Sequence, residues 1–315
     1  MKPAPGLHLS SSSIINFLAC PRKFYYTKLL DIRSESGTAA ARGSAFHTAM
    51  QTFHAPETER RWRENGEDVR AVYDECCEGA LRNYLALVDG QLEKRQEEDL
   101  LRKLFRNYGS EQDRWPHLRT LATEAQFEWT VDGVTVLGYI DRIIASDVGA
   151  GGVEIVDYKT GSDKTKNAIQ AQLGINADHP PSDLQLLIYF FALEEGANVR
   201  HRDEWVSHRH EVAAISLWYP KRVLGKNAEQ HIRKVGLGDG PSHLDGEIEF
   251  IDIHAQRGEL REMVADVFAE SLNGEYAARP KHDQYTCTSA WGTGCDFAWL
   301  CPGRVEEPVG YEADG

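Results

Sequence analysis

The stretch that decides the fold is Val153-Glu154-Ile155-Val156-Asp157-Tyr158-Lys159, which follows a glycine-rich turn at residues 149–152. Its apolar, β-branched beginning predicts a strand. Two earlier segments, residues 125–131 and 134–144, flank the tight-turn pair Asp132-Gly133 and predict a hairpin. Together the three segments predict a meander of three strands.

Helical patterns surround this meander. Ser10-Ser11-Ser12-Ser13 precedes apolar residues at helical spacing, which predicts a short helix with a serine cap that ends near Pro21. A charged segment with an interrupted apolar stripe predicts a helical insertion after residue 56. The order of elements is α, βββ, α, β, β, α, which predicts an α/β core with helices on the faces of a sheet. The further predicted helices are 43–53, 182–193 and 256–272, and the further predicted strands are 213–219 and 247–253.

Composition limits the classes of function. The 315 residues are 41% hydrophobic and 27% charged, and the net charge is −14. This acidity argues against a protein that coats DNA by bulk electrostatics, but it is compatible with an enzyme that has a local basic groove. No apolar run approaches the roughly 20 residues that span a bilayer, and no apolar segment of a signal peptide follows Met1. We therefore expect a cytoplasmic protein that is not membrane-bound, in which six cysteines are thiols or metal ligands.

Two carboxylates and one lysine lie near neighbouring strand ends. Asp141 ends one predicted strand and Asp157 lies near the end of the next. Adjacent strands are about 4.8 Å apart, so the two carboxylates can share a divalent cation. Lys159 leaves the same face as Asp157 and can stabilise charge on a phosphate. Asp-x-Lys alone is common and equally describes a surface ion pair, but Gly138-x-x-Asp141 on the preceding strand favours a metal site for phosphodiester hydrolysis.

Four cysteines lie at opposite ends of the chain, at Cys20, Cys287, Cys295 and Cys301. Four thiolates are the ligand set of an iron–sulfur cluster or of tetrahedral zinc. Two other cysteines are adjacent on a predicted helix and point in different directions. We interpret them, Cys76 and Cys77, as inert packing or surface thiols.

In these ordered motifs the chain resembles the RecB-like branch of the PD-(D/E)xK nuclease superfamily, especially its iron–sulfur members. Those members include AddAB-type nuclease domains, CRISPR-adaptation nucleases and phage exonucleases. The resemblance implies a restriction-endonuclease-like α/β core, a central mixed sheet flanked by helices, with a helical insertion and a C-terminal cysteine-rich cluster region. The motifs that carry it are Cys20-Pro21-Arg22-Lys23-Phe24-Tyr25-Tyr26, Gly43-Ser44-Ala45-Phe46-His47, Gly138 to Asp141, Val156-Asp157-Tyr158-Lys159-Thr160-Gly161, Gln185-Leu186-Leu187-Ile188-Tyr189 and the three late cysteines.

The resemblance also implies a set of metal ligands. His47, Asp141 and Asp157 would hold the ion, with the main-chain carbonyl of Tyr158 as a further ligand. An imidazole in this set favours Mn²⁺ as well as Mg²⁺. His54, about two turns beyond His47, is expected on the surface.

Lys159 would be the catalytic lysine. Gln185 and Tyr189 are spaced i, i+4 and therefore lie on one side of a helix, which would face the active site. Gln185 would contact the lysine or DNA. Tyr189 is expected to be a core aromatic residue whose hydroxyl lies at the rim of the site.

For the cysteines, the resemblance implies a [4Fe–4S] cluster held by Cys20, Cys287, Cys295 and Cys301, in preference to zinc. The seven residues between Cys287 and Cys295 are a longer spacing than is common in the family. The cluster would tie the N-terminal helix to the C-terminal segment. Nearby aromatic residues could stack on bases, but we expect most of them to be core around the cluster: Phe24, Tyr25, Tyr26, Trp291, Phe297 and Trp299.

These observations predict one nuclease domain over residues 1–315. Its function would be metal-dependent DNA exonuclease activity on single strands or duplex ends, in recombination and repair, phage DNA processing or CRISPR adaptation. The sequence has no G-x-x-x-x-G-K-[ST] motif, so a helicase, recombinase or integrase would be a separate partner. The alternatives are a catalytically silent DNA-end-binding subunit and a zinc-stapled scaffold. The predicted parts are the N-terminal helices (1–56), the insertion (57–117), the catalytic core (118–275), the cluster segment (276–303) and the tail (304–315).

Overall fold

The computed structural model describes most of the chain up to residue 276 and a few positions beyond it. The described residues are 7–32, 37–110, 112–148, 152–161, 184–201, 204–207, 209–220, 232–238, 243–245, 248–274, 276, 295, 297 and 300–301. Within them, a nine-stranded mixed sheet is accompanied by helices. The predicted α/β class, a central mixed sheet flanked by helices, is confirmed.

The helices agree closely with the sequence pattern. Ser10 caps the first helix, because its side chain accepts a hydrogen bond from the Ser13 amide. The helix ends at Ala19, two residues before Pro21. A π-helical turn, Tyr25–Leu29, follows the second helix, and short 3₁₀ segments lie at Gln112–His117 and His254–Gln256. The α-helices are α1 (Ser11–Ala19), α2 (Pro21–Phe24), α3 (Thr38–His54), α4 (Pro56–Arg63), α5 (Val69–Leu85), α6 (Gln91–Gly109), α7 (Leu184–Glu194) and α8 (Arg257–Asn273).

The sheet has the strand order β5-β4-β1-β2-β3-β6-β7-β9-β8. The pair β2–β3 is antiparallel, with Arg142 opposite Val156, and β3–β6 is parallel. All six residues of β3 are buried, as expected for a central strand. The strands are β1 (Thr120–Val131), β2 (Val134–Ala145), β3 (Val153–Tyr158), β4 (Asn198–His201), β5 (Glu204–Ser207), β6 (Val212–Trp218), β7 (Ile232–Leu237), β8 (His243–Asp245) and β9 (Ile248–Ile251).

The predicted meander is present as β1, β2 and β3, and β1 begins five residues earlier than the alternation suggested. Four strands were not predicted: β4, β5, β7 and β8. They are short and contain several charged residues, including the basic pair Arg233-Lys234 of β7. The Lys234 side chain is 19% exposed and forms ion pairs with the buried Glu154, at 2.6 Å, and with Asp147, at 2.8 Å.

The helical insertion packs against the sheet. One buried cluster joins side chains of α3, α5 and α6 to Ile144 of β2, Val156 and Tyr158 of β3, and Trp218 of β6. Tyr108 of α6 lies at its centre, with ring centroids 5.8 Å from Tyr158 and 5.2 Å from Trp218. The insertion was interpreted as separate from the catalytic core, whereas its helices cover the strand that carries Asp157.

The chain divides into two compact units. One contains Met1–Glu35, Val131–Val136 and Arg261–Gly315, and the other contains Ser36–Thr130 and Leu137–Leu260. The first unit therefore brings the two ends of the chain together. The predicted division into one domain with five parts stays a prediction. Among the described helices, none is long and apolar enough to cross a membrane.

Candidate active site

Helix α3 carries His47 to the end of β3. Gly43 allows α3 to lie close to the end of β3, because a Cβ at this position would lie 3.0 Å from the hydroxyl oxygen of Thr160. Thr160 is the residue after Lys159. A glycine inside a helix costs about 1 kcal/mol relative to alanine, so its presence here is explained by the close contact. The predicted glycine-to-histidine segment therefore lies beside the predicted Asp-x-Lys segment.

His47 lies with two carboxylates in one cluster. Its Nδ1 is 3.5 Å from Asp141 Oδ1 and 4.0 Å from Glu124 Oε1. One ligand atom from each residue lies within 4.8 Å of the other two, and all three side chains are partly exposed. One imidazole and two carboxylates are a donor set suited to Mn²⁺ or Mg²⁺. The sequence analysis named His47 and Asp141 but missed Glu124.

The electrostatics of this cluster favour a cation. Burial, and then the neighbouring Asp141, raise the pKa of Glu124. Burial opposes protonation of His47, but the surrounding carboxylates, above all Asp141, outweigh it and raise the pKa of the imidazole. The repulsion between Asp141 and Glu124 and the attraction of His47 to both show that negative charge is concentrated here, and a bound divalent ion would neutralise it.

The peptide groups of Tyr158 connect the cluster to β3. The Tyr158 N–H donates to Asp141 Oδ2 at 2.7 Å, and its carbonyl oxygen lies 3.1 Å from His47 Nε2. The carbonyl therefore lies beside the imidazole, where the resemblance placed a ligand. Its role as a ligand stays a prediction.

A second group of side chains surrounds Lys159. Its Nζ lies 2.6 Å from Asp157 Oδ2 and donates to Gln185 Oε1 at 3.1 Å. Gln185 in turn donates to the Tyr189 hydroxyl at 2.6 Å. The i, i+4 pair of α7 thus faces the lysine. Tyr189 is 3% exposed, so it is a core residue.

Asp157 lies between the two groups. It is 1% exposed, and its charge acts on His47 as well as on Lys159. The three-residue metal cluster does not include it. The structure thus brings Asp157 beside the cluster and pairs it with the lysine, and its predicted role as a ligand stays a prediction.

An open cavity of about 490 Å³ gives access to the cluster. His47, Glu124, Asp141 and Thr160 are among the residues that line it. The other lining residues are small or polar residues of α3, including Ala40 and Ser44. The cavity therefore opens onto the three side chains that could hold a metal ion.

Three of the four predicted cluster ligands lie within the described residues. Cys20 is buried, whereas Cys295 and Cys301 are partly exposed, and Cys287 lies outside the described residues. The amide of Cys301 donates to the Phe297 carbonyl at 3.0 Å, which forms a turn. This turn packs on the N-terminal segment, because the Tyr26 hydroxyl donates to the Leu300 carbonyl at 3.2 Å and its ring contacts Phe297. The two cysteine-bearing ends therefore meet.

The aromatic residues near these cysteines form a core, as expected for most of them. Phe24, Tyr26 and Phe297 are buried, and Tyr25 stacks on Tyr276 with 4.9 Å between ring centroids. Trp291 and Trp299 lie outside the described residues.

The structure corrects the expected surface position of His54 and decides between the two expected positions, packed or on the surface, of Cys76 and Cys77. His54 was expected on the surface but is 1% exposed, because α4 and α6 cover it. Cys76 and Cys77 are both buried in the insertion core rather than on the surface. Burial raises the pKa of Cys76 to about 11 and raises that of Cys77 further, so both are unreactive thiols at neutral pH.

Comparison with known proteins gives one family. The model of the PD-(D/E)XK nuclease superfamily matches residues 8–302, which span nearly the whole chain. None of the curated proteins matches it.

Proposed function

The chain belongs to the PD-(D/E)XK nuclease superfamily, and from that premise we propose that it is a divalent-metal-dependent DNA exonuclease acting on single strands or duplex ends. The observation that carries the proposal is the position of Lys159. Its ammonium is held between Asp157 and Gln185, beside the cluster of His47, Glu124 and Asp141. A nuclease of this kind needs such an arrangement of one cation-binding group and one fixed lysine.

The residues present fit a divalent ion. His47, Glu124 and Asp141 would hold it, with Asp157 and the Tyr158 carbonyl as the further ligands implied by resemblance. When bound, Mg²⁺ or Mn²⁺ would lower the pKa of a water molecule and neutralise charge on the phosphate. The raised pKa of His47 supports this assignment, because the carboxylates of Asp141, Glu124 and Asp157 outweigh the effect of burial on the imidazole.

The chain's own contribution is to position Lys159. Hydrolysis adds water to phosphorus, breaks a P–O bond and transfers a proton to the departing oxygen. Lys159 can donate to a non-bridging phosphate oxygen as negative charge grows there. Asp157 forms an ion pair with the ammonium, and Gln185, itself held by a hydrogen bond to Tyr189, fixes its direction. A side chain restrained in this way needs no reorganisation during the reaction.

Digestion of end-labelled DNA tests the proposal. Single- and double-stranded substrates are incubated with Mg²⁺ or Mn²⁺ and with anaerobically purified protein. We expect degradation that Lys159→Ala abolishes and that Lys103→Ala, at an exposed lysine of α6, retains. Product lengths would give the polarity of digestion. If metal-loaded protein binds DNA ends without cleaving them, the chain is instead a catalytically silent DNA-end-binding subunit.

We further propose a [4Fe–4S] cluster bound by Cys20, Cys287, Cys295 and Cys301, with zinc as the alternative. The contact between Tyr26 and the turn that ends at Cys301 supports it, because this contact brings the first and last ligands into one unit. Iron and zinc analysis, with absorbance near about 400 nm, separates the two metals. Cys20→Ser should lose the metal, and Cys76→Ser, a matched change at a buried cysteine, should keep it.

The biological setting follows from the proposed reaction. We place it in recombination and repair, phage DNA processing or CRISPR adaptation, in the cytoplasm. A separate helicase, recombinase or integrase would deliver the DNA, because the sequence has no phosphate-binding loop of its own.

A further inference from the structure

A closed set of polar side chains, all buried except the partly exposed Thr120, lies behind the active site. Its members come from six elements, α3, α4, α6, β1, β2 and β3. Each touches the next, and we call them the support network: His54, Glu59, Tyr108, Thr120, Arg142 and Tyr158.

One side of the support network passes through Arg142. Arg142 follows Asp141 in β2 and is fully buried. Its Nε and Nη2 donate to the Thr120 hydroxyl at 3.0 and 2.7 Å, and Thr120 donates to Glu59 Oε1 at 2.5 Å. Glu59 also lies 3.8 Å from Arg142 Nη2. A buried guanidinium is tolerated only when it is paired, so Arg142 depends on this carboxylate from the insertion.

The other side passes through two tyrosines. The Tyr158 hydroxyl lies 3.4 Å from that of Tyr108, which lies 2.7 Å from His54 Nε2, and His54 Nδ1 lies 3.4 Å from Glu59 Oε1. Burial, with the charges of Arg142 and Arg63, keeps His54 neutral. A neutral imidazole has one donor and one acceptor nitrogen, and the carboxylate only accepts. The Tyr158 hydroxyl therefore donates to the Tyr108 hydroxyl, which donates to His54 Nε2. His54 Nδ1 donates to Glu59.

The support network acts on the residues that form the active site. Tyr158 joins Asp157 to Lys159, and its peptide groups contact Asp141 and His47. Arg142 follows Asp141 directly in the chain. The charge of Arg142 also acts on the Tyr158 hydroxyl, so the two sides of the support network meet at these two residues. Neither residue's side chain lines the cavity. Their positions, and not contact with DNA, are what they contribute.

We propose that the support network is the positioning device of the nuclease site, through which the helical insertion holds the Tyr158 peptide and Asp141 in their working arrangement. This inference rests on the proposed function. It assigns Tyr108, Tyr158, Glu59 and Arg142 as positioning residues.

Single hydroxyl deletions test the proposal with the least disturbance. Tyr108→Phe and Tyr158→Phe interrupt the network but keep the aromatic packing. Tyr73→Phe is the matched control, because Tyr73 is equally buried in the same aromatic cluster and its hydroxyl donates to the Phe105 carbonyl at 2.7 Å, outside the network. Thermal unfolding of the three variants shows whether their stabilities are comparable.

Three measurements follow on each variant. The first is hydrogen exchange of the Tyr158 amide, which reports its bond to Asp141 and requires neither metal nor DNA. The second is Mn²⁺ affinity by calorimetry, and the third is the cleavage rate at saturating DNA. We expect Tyr108→Phe and Tyr158→Phe to lose amide protection and about tenfold in Mn²⁺ affinity or cleavage rate, with little change for Tyr73→Phe.

The outcomes separate this inference from the proposed function. If the three variants show equal amide protection and equal Mn²⁺ affinity, the positioning role is wrong, whether or not the protein cleaves DNA. If the protein cleaves no DNA but the network variants alone lose amide protection, the positioning role stands and the nuclease assignment fails. Glu59→Gln provides a stronger perturbation, and the hydroxyl variants decide the matter if it does not fold.

Discussion

Lowering the pH should destabilise the protein through His54. This imidazole is 1% exposed, and burial, then the charges of Arg142 and Arg63, lower its pKa well below 6.5. Glu59 lies 3.4 Å away, but it is already paired with Arg63 at 3.1 Å. The folded protein therefore keeps His54 neutral at a pH where the unfolded chain binds a proton.

The sign and size of the effect follow from proton linkage. Below the unfolded pKa of about 6.5, the unfolded state binds more protons, so stability falls as pH falls. When the unfolded state binds one more proton than the folded state, the free energy of unfolding changes by about 1.4 kcal/mol per pH unit. Integrated from pH 6.5 to about pH 5, the contribution of His54 is a loss of about 1.6 kcal/mol, provided that the folded imidazole stays neutral throughout.

Urea unfolding at a series of pH values, for wild type and His54→Gln, measures this contribution. Glutamine can accept from Tyr108 and donate to Glu59, but it does not titrate. Carboxylates and other histidines contribute equally to both proteins, so their effects cancel in the difference. The wild type should lose about 1.6 kcal/mol more than the variant between these two pH values. Parallel stability curves would refute a neutral buried His54.

Three further substitutions have defined outcomes. Gly43→Ala should leave stability unchanged or up to about 1 kcal/mol higher, by helix propensity. It should slow cleavage about tenfold, because its Cβ would lie 3.0 Å from Thr160 Oγ1, and adding Thr160→Ala should restore the rate. Glu124→Gln should raise the Mn²⁺ concentration for half-maximal activity at least about tenfold; an unchanged metal titration would remove it from the ligand set. Gly138→Ala should lower the free energy of unfolding by about 1–3 kcal/mol, because its Cβ would lie 2.5 Å from Phe127 Cε1; unchanged thermal unfolding would show that this ring can move.

The sequence contained enough information to find Glu124, although the sequence analysis did not use it. A two-residue turn at Asp132-Gly133 pairs Val131 with Val134. Counting back along the hairpin pairs Phe127 with Gly138, which the close approach of the Phe127 ring bears out, and Glu124 with Asp141. The sequence analysis started the strand at residue 125, because the alternation of apolar and polar residues begins there; Glu124, just before it, has a positive φ of 44°.

The support network could not have been found in the same way. Local patterns predict strands, helix caps and turns, because those depend on neighbours within a few residues. Glu59 and Arg142 are separated by most of the insertion and the first strand, and nothing near either residue indicates the other. His54 appeared to be an ordinary surface histidine because the residues that cover it come from α4 and α6. Such pairings are fixed by tertiary packing, which a single sequence does not reveal.

Strand β3 shows why the middle residue of the Asp-x-Lys segment matters in this protein. Successive side chains of a strand point to opposite faces. Asp157 and Lys159 face the cavity side and α7, whereas Val156 and Tyr158 are buried under the insertion helices. Tyr158 therefore contributes to both faces of β3. Its peptide groups contact Asp141 and His47 in the site, and its hydroxyl belongs to the support network. A substitution at this position that keeps the backbone but loses the side chain would leave every catalytic group present and remove what holds them in place.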